Sequence, residues 1–402
     1  MSPDQGPGDP RAVVGRAVEN CVSCGACQGV CPLYQAERRE ELAARGKIRL
    51  LGGLLKGQAT PDPALARVLS RCLLCGRCQA NCPNTVAATD CQRAGREILA
   101  TAGQVSLAKR LVVQGALASP SRLEALARAG RLGAGLALRL PGLAGLERLP
   151  APAPRFFLND APHEVAGPQG APRLGFFVGC VANYLRPELA RRAVEILSRR
   201  YTVVIPPAQA CCGLAAVAAG LTDTARDLAR RNLAAFRDAR VDLVFTACAS
   251  CAHALAHEAP RLLGGELADQ ARDMAGRVRE VGQILAEGRA LTPAGAAGPV
   301  ALHTPCHLGV GLSAGAAPAE VLTRAGVELA AWPGGNECCG GGGLFSLGEP
   351  ELSRAVIAPR LAELAQGEAR VLATSCSGCW LQWSRHTAPG TRVVHPLELL
   401  AP

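Results

Sequence analysis

From residue 173 onward the chain alternates between short apolar runs and longer amphipathic ones, and it does so twice. "RLGFFVGC" and "GPVALHTPC" are nearly continuous apolar stretches, which predicts buried strands ending on Cys180 and Cys306. "YTVVIPPAQACCG" and "VELAAWPGGNECCG" read as a strand, a loop and a cysteine pair. "VDLVFTACASC" and "RVLATSCSGC" read as strands ending on the first thiol of a C-x2-C. Between them, "RPELARRAVEILSRR", "TDTARDLARRNLAAFRDA", "PAEVLTRAG" and "EPELSRAVIAPRLAELA" carry apolar residues at helical steps. Strands alternating with helices predict an α/β fold with parallel sheets and right-handed crossovers. Ligands of such sheets lie beyond the carboxyl ends of the strands, so the cysteines of each repeat are expected at one rim.

The cysteine spacing follows the same repeat. Cys180 is followed after 30 residues by Cys211–Cys212, and after 35 more by Cys248-x2-Cys251. Cys306 is followed after 31 residues by Cys338–Cys339, and after 36 more by Cys376-x2-Cys379. Such a match is an internal repeat and predicts two pseudo-symmetric α/β lobes. A thioredoxin-like redox pair would use two thiols per repeat and leave three idle; a five-ligand iron–sulfur site uses them all.

The N-terminal part shows no strand pattern. "CVSCGACQGVCP" spaces Cys21, Cys24, Cys27 and Cys31 as C-x2-C-x2-C-x3-C-P, and "CLLCGRCQANCP" repeats this with Cys72, Cys75, Cys78 and Cys82. This is the bacterial ferredoxin run for a [4Fe–4S] cubane, in which the fourth cysteine serves the other cluster. The expected ligand sets are therefore Cys21, Cys24, Cys27 and Cys82 for one cluster, and Cys72, Cys75, Cys78 and Cys31 for its partner. Zinc would use separated ligand pairs. The 40 residues from Pro32 to Arg71 hold "ELAARGKIRLLGGLLKG" and "PDPALARVLSR", both helical by apolar spacing. An all-α N-terminal domain follows: a helical di-cluster ferredoxin. Lys47 and Arg49 either offset cluster charge or are solvated helix residues. The expected organisation is 1–100 ferredoxin, 101–165 helical connector and linker, 166–292 first cysteine-rich domain and 293–402 second.

Composition narrows the chemistry. Nineteen cysteines in 402 residues, with no signal peptide or spanning segment evident, point to metal ligation in a reducing, cytoplasmic setting. The formal charge of +10 is lowered by ligating thiolates, and 3% aromatics are too few for stacking platforms, so nucleic acid is not expected as a partner. Eight plus ten cysteines leave Cys91, in "TDCQRAG", read as a small buried hydrophobe. His303 and His307 flank Cys306 and are candidate catalytic proton donors or cluster hydrogen-bond donors; the alternative is a satisfied structural role. Trp380 and Trp383 are expected to shield the last C-x2-C. Gly340 to Gly343 lack the lysine–serine ending of a phosphate loop, and no dinucleotide fingerprint is evident, so no flavin or nicotinamide is expected on this chain. From Lys109 to Arg148 there are seven basic residues and two acidic ones, Glu124 and Glu147. That segment is either a connector packed on its neighbours or a surface for an anionic membrane or a partner. "LPAPAP" reads as a stiff linker.

Taken together, "ENCVSCGACQGVCPLY", "RGKIRLL", "RCLLCGRCQANCP" and both C…CCG…C-x2-C patterns resemble the glycolate oxidase iron–sulfur subunit family. The cysteine-rich component of heterodisulfide reductase, the iron–sulfur component of anaerobic glycerol-3-phosphate dehydrogenase and lactate-oxidising systems have similar modules. The resemblance implies two cubanes plus one or two further [4Fe–4S] clusters, of non-cubane type with bridging thiolates, in the CCG domains. Their ligands would be Cys180, Cys211, Cys212, Cys248 and Cys251, and Cys306, Cys338, Cys339, Cys376 and Cys379; a conventional cubane with one cysteine left over is the alternative. It also implies a partner flavoprotein carrying FAD that oxidises glycolate or D-lactate, electron transfer to a quinone or other acceptor, and a cytoplasmic location with peripheral contact at the inner face of the cell membrane as an option. In that family the first repeat often lacks ligands. Here both are complete, which keeps heterodisulfide-type reduction of a disulfide or quinone open.

Overall fold

The computed structural model describes residues 8–132, 150–288, 291–295 and 298–402. The first part is helical. Pro10–Asn20 starts with Asp9 accepting a hydrogen bond from the Arg11 N–H, and Pro63–Ser70 starts with Asp62 accepting from Leu65. Ala44–Leu55 starts later than expected, because Glu40–Leu42 form a separate 3-10 turn. These helices and Ala88–Thr101 bury Val14, Ile48, Leu51, Leu69, Cys91 and Leu99 in one core, so Cys91 sits where a small apolar residue would. Burial raises its thiol pKa to about 12.

The rest is α/β. Strands β1 (Glu164–Val165), β2 (Arg173–Phe176), β3 (Thr202–Val204), β4 (Leu243–Thr246) and β5 (Val278–Glu280) form one sheet in the order β1-β3-β2-β4-β5. Strands β6 (Val300–His303), β7 (Val371–Thr374) and β8 (Arg392–Val394) form a second, in the order β6-β7-β8. Neighbours are parallel except β1, which runs antiparallel to β3 and corrects the expectation of purely parallel sheets. The short edge strands β1, β5 and β8 are too brief and polar to produce a periodic signal. Phe176 and Phe245 stack at 4.6 Å on the inner face of the first sheet. They share one core with Val300, Val371 and Val394 of the second.

Two strand expectations need correction. No strand ends on a cysteine: β2 stops at Phe176 and Cys180 opens the helix Cys180–Tyr184, while β6 stops at His303, ahead of Cys306. Likewise β4 and β7 stop at Thr246 and Thr374, and Cys248 and Cys376 cap the helices that follow. A short loop takes each thiol out of the alternating in–out register of the strand. "VELAA" yields only one bridge, Leu329 to Val300, before the chain turns at Pro333. All four amphipathic helices appear: Pro187–Leu197, Thr222–Asp238, Ala317–Arg324 and Pro350–Gln366.

The connector is helical over Leu107–Leu117 and Pro120–Leu132. Residues 133–149, the middle of the basic segment, lie outside the described residues. From Pro150 the "PAPAP" stretch has no regular structure. Among the described residues no helix is long and apolar enough to cross a membrane.

Candidate metal centres

Two cavities lie in the helical part. One is lined by Cys72, Cys75 and Cys78 together with Cys31 from the other run. The second is lined by Cys21, Cys24 and Cys27 together with Cys82, with Cys78 at the shared wall. The fourth cysteine of each run thus stands with the first three of the other. Backbone N–H groups of Leu74 and Val86 point at Cys72 Sγ (3.5 Å) and Cys82 Sγ (3.4 Å).

The residues around the first cavity fit an iron–sulfur cluster. Thr89 Oγ1 and Gln92 Nε2 are buried there without a partner among the described residues, and cluster sulfurs would accept their hydrogen bonds. Burial pushes the Cys31, Cys75 and Cys78 thiols up, so without metal they stay protonated. Lys47 is 1% exposed and donates to the carbonyls of Glu41 (2.7 Å) and Leu42 (2.6 Å). Burial lowers its pKa while Cys72 and Cys31 oppose that, so its ammonium is placed to offset thiolate charge; Arg49 is exposed to solvent.

The ten later cysteines form two groups. In the first repeat, thiol contacts link Cys180 to Cys211, Cys211 to Cys212, Cys212 to Cys251 and Cys251 to Cys248. In the second, Cys306 meets Cys338, Cys339 meets Cys379, and Cys379 meets Cys376. All five thiols of each repeat therefore gather beyond the carboxyl ends of its strands. Gly340 follows the paired cysteines with φ +73°, and its N–H donates to Cys338 Sγ at 3.4 Å. Gly213 holds the same place in the first repeat with φ +84°. A left-handed turn at this point brings the backbone against the thiols.

The groups also touch one another. Cys75 of the ferredoxin part faces Cys338 and Cys306, and Cys31 and Cys75 pack in one cluster with Cys338, Leu73 and Phe345. Arg77 of the same loop pairs with Glu337 at 3.4 Å. Across the repeats, Cys248 contacts Cys376, Ser250 Oγ lies 3.1 Å from Cys376 Sγ, and the Ser377 N–H points at Cys248 Sγ at 3.4 Å.

His303 Nδ1 lies 2.9 Å from Thr374 Oγ1 and its Nε2 lies 3.1 Å from the Glu337 carbonyl. Burial holds its pKa at about 4, and a ring nitrogen lies within 4.8 Å of Cys339 and Cys379. The Nε2–H donates to the Glu337 carbonyl and Nδ1 accepts from the Thr374 hydroxyl, so the ring ties the loop before Cys338 to β7. His307 is kept neutral by burial, with a pKa of about 3. Its Nδ1 is 2.8 Å from Ser250 Oγ, and its ring stacks on His253 at 4.5 Å. An Nδ1–H that donates to Ser250 frees the hydroxyl to donate to Cys376. Trp383 is fully buried beside Cys339, Cys376 and Cys379, as a shield would be. Trp380 instead lies under Arg186, at 4.4 Å, and donates to the Val393 carbonyl. The spacing patterns missed Thr89, Gln92, Arg96 and Ser250. Only the polar face of "ATDCQRAGR" hinted at the first three.

Residues 17–86 match the family described as 4Fe-4S dicluster domain, and residues 174–256 and 300–383 each match the cysteine-rich domain CCG. A probable glycolate oxidase iron–sulfur subunit of Bacillus subtilis is 27% identical, over 95% of this chain and 93% of its own. The glycolate oxidase iron–sulfur subunit of Escherichia coli is 27% identical, over 94% and 92%. Lactate utilization protein A of Geobacillus kaustophilus is 31% identical, over 57% of this chain and 98% of its own.

Proposed function

Since the chain belongs to the glycolate oxidase iron–sulfur subunit family, we propose that it is the electron-transfer subunit of a flavin-linked dehydrogenase for a 2-hydroxy acid such as glycolate or D-lactate. A partner flavoprotein carrying FAD oxidises the acid, and this chain passes the electrons to a quinone or another acceptor. The cysteines would hold two cubanes in the domain 1–100 and one further cluster in each of two pseudo-symmetric lobes, 166–292 and 293–402. Bound clusters supply one-electron steps that divide the two-electron output of a flavin.

The observation that carries this reading is the continuity of the thiol groups. Cys78 borders both ferredoxin cavities, Cys75 faces Cys338 and Cys306, and Cys376 touches Cys248. The protein's part is to hold the thiolates, offset their charge with Lys47 and keep water out with Trp383. The test is anaerobic purification with iron and sulfide determination, followed by mixing with a reduced flavoprotein. The expected result is about sixteen irons per chain, four for each of four clusters, and bleaching of their absorbance. Oxidation of glycolate or lactate by the flavin-free chain alone would overturn the reading.

The complete five-thiol sets favour a second reading, a heterodisulfide-reductase-like protein that reduces a disulfide or quinone at a non-cubane cluster. Under it, Cys339→Ser abolishes disulfide turnover; unchanged turnover removes it. An electron carrier like the iron–sulfur component of anaerobic glycerol-3-phosphate dehydrogenase is the variant of the first reading with a different partner.

A further inference from the structure

A groove separate from the thiol groups opens between the ferredoxin helices, the connector and both cysteine repeats, the first contributing Ala218 and Ala219. It offers about 530 Å³ and is open to solvent. Leu99, Val105, Leu344 and Phe345 provide apolar walls, and Arg96 and Lys109 provide cations. The acid in the lining, Glu349, is already engaged by Arg67 (3.5 Å) and Arg71 (2.8 Å). Among the described residues the Lys109 ammonium has no hydrogen-bond or ion-pair partner, although it is half-buried.

Two features separate this groove from an ordinary crevice. Its floor adjoins the second ferredoxin run: the Arg96 guanidinium donates to the Cys72 carbonyl at 2.6 Å, and Phe345 packs in the cluster that contains Cys31 and Cys75. Its lining is basic: Arg67, Arg96 and Lys109 stand against the single acid Glu349, and no acidic residue occurs from 98 to 123. A lipophilic ligand is favoured by the apolar walls, an oxygen acceptor by the unpaired lysine, and a redox-active one by the floor.

We propose that this groove binds the head group of a quinone, with Lys109 donating to a carbonyl oxygen. The assignment rests on the electron-transfer reading and gives it an exit. Reduction converts quinone, two electrons and two protons to hydroquinone. The electrons come singly from reduced clusters that the partner's reduced flavin refills, and the protons come from water on the open side.

The test uses the iron-loaded chain and duroquinone, whose ring has no position open to thiol addition. Equilibrium dialysis with the oxidised chain measures binding, and stopped-flow absorbance of the dithionite-reduced chain measures reoxidation. Ala100→Trp fills the groove from the helix Ala88–Thr101, and Lys109→Ala removes the donor. Both are expected to weaken duroquinone binding, by about tenfold for the tryptophan and several-fold for the alanine, at unchanged iron content. Reoxidation by duroquinone should slow in step, while reoxidation by hexacyanoferrate, which needs no apolar pocket, should not. Unchanged duroquinone binding in both variants overturns the groove assignment alone. Failure of any flavoprotein to reduce the clusters overturns the electron-transfer reading, whatever duroquinone does.

Discussion

Ser250 of the first cysteine repeat places its hydroxyl 3.1 Å from the Cys376 thiol of the second. The second repeat returns a contact through the Ser377 N–H, 3.4 Å from Cys248 Sγ. Each repeat therefore completes the surroundings of the other's first C-x2-C cysteine, and the two groups of five thiols form one structural unit.

Replacing Ser250 by alanine should lower the reduction potential of the cluster proposed for the second cysteine repeat. A donor to a ligating thiolate favours the more negative, reduced state. Loss of about 1 kcal/mol of hydrogen bonding corresponds to about 40 mV for a one-electron couple. An EPR-monitored titration checks this; Ser250→Thr should restore the potential, and an unmoved potential in the alanine variant would contradict the assigned role.

Arg96 should hold the ferredoxin part on the first repeat. Its buried guanidinium donates to the carbonyls of Leu69 (3.0 Å), Cys72 (2.6 Å) and Ala218 (2.7 Å). Arg96→Met strands these acceptors and should cost about 3 kcal/mol in urea unfolding. Iron retention should fall in the ferredoxin part first, read by EPR.

Gly340→Ala should be more damaging than its size suggests. The site has φ +73°, and an added Cβ would lie 2.7 Å from the Ser353 carbonyl oxygen. The conformation alone costs about 1–2 kcal/mol, and the contact adds to it. Selective loss of iron from the C-terminal centre, with the ferredoxin clusters retained, is the expected outcome; full iron content would refute it.

Acid should unfold the protein partly through Glu258. Burial raises its pKa, but Arg93 at 2.5 Å, with His253 and Arg261 beyond, brings it down to about 2. A folded-state pKa below the ordinary value of about 4.3 means this group stabilises the fold above that pH. The contribution, about 3 kcal/mol, is lost as pH falls from there through about 2. In urea melts at pH values across this window, Glu258→Gln should start less stable and show a flatter acid decline than the unmodified chain.

Much of the fold could be read directly because cysteine spacing and apolar periodicity are both local. Ligands that wrap one cluster must recur at short fixed steps, so Cys21 to Cys31 and Cys72 to Cys82 announced themselves. The β2, β4, β6 and β7 strands were visible as apolar runs because their faces are buried on both sides. Strand ends and the edge strands β1, β5 and β8 were not, since two or three residues are too few to carry a period.

What the sequence by itself determined is the inventory: two ferredoxin runs, two five-cysteine repeats and the helices between them. The tertiary structure decided how the groups adjoin. The approach of Cys75 to Cys338, the contact of Cys248 with Cys376, and the burial of Lys47, Thr89 and Gln92 around one cavity join residues far apart in the chain. Such contacts are set by how whole layers pack, and no local spacing rule encodes them.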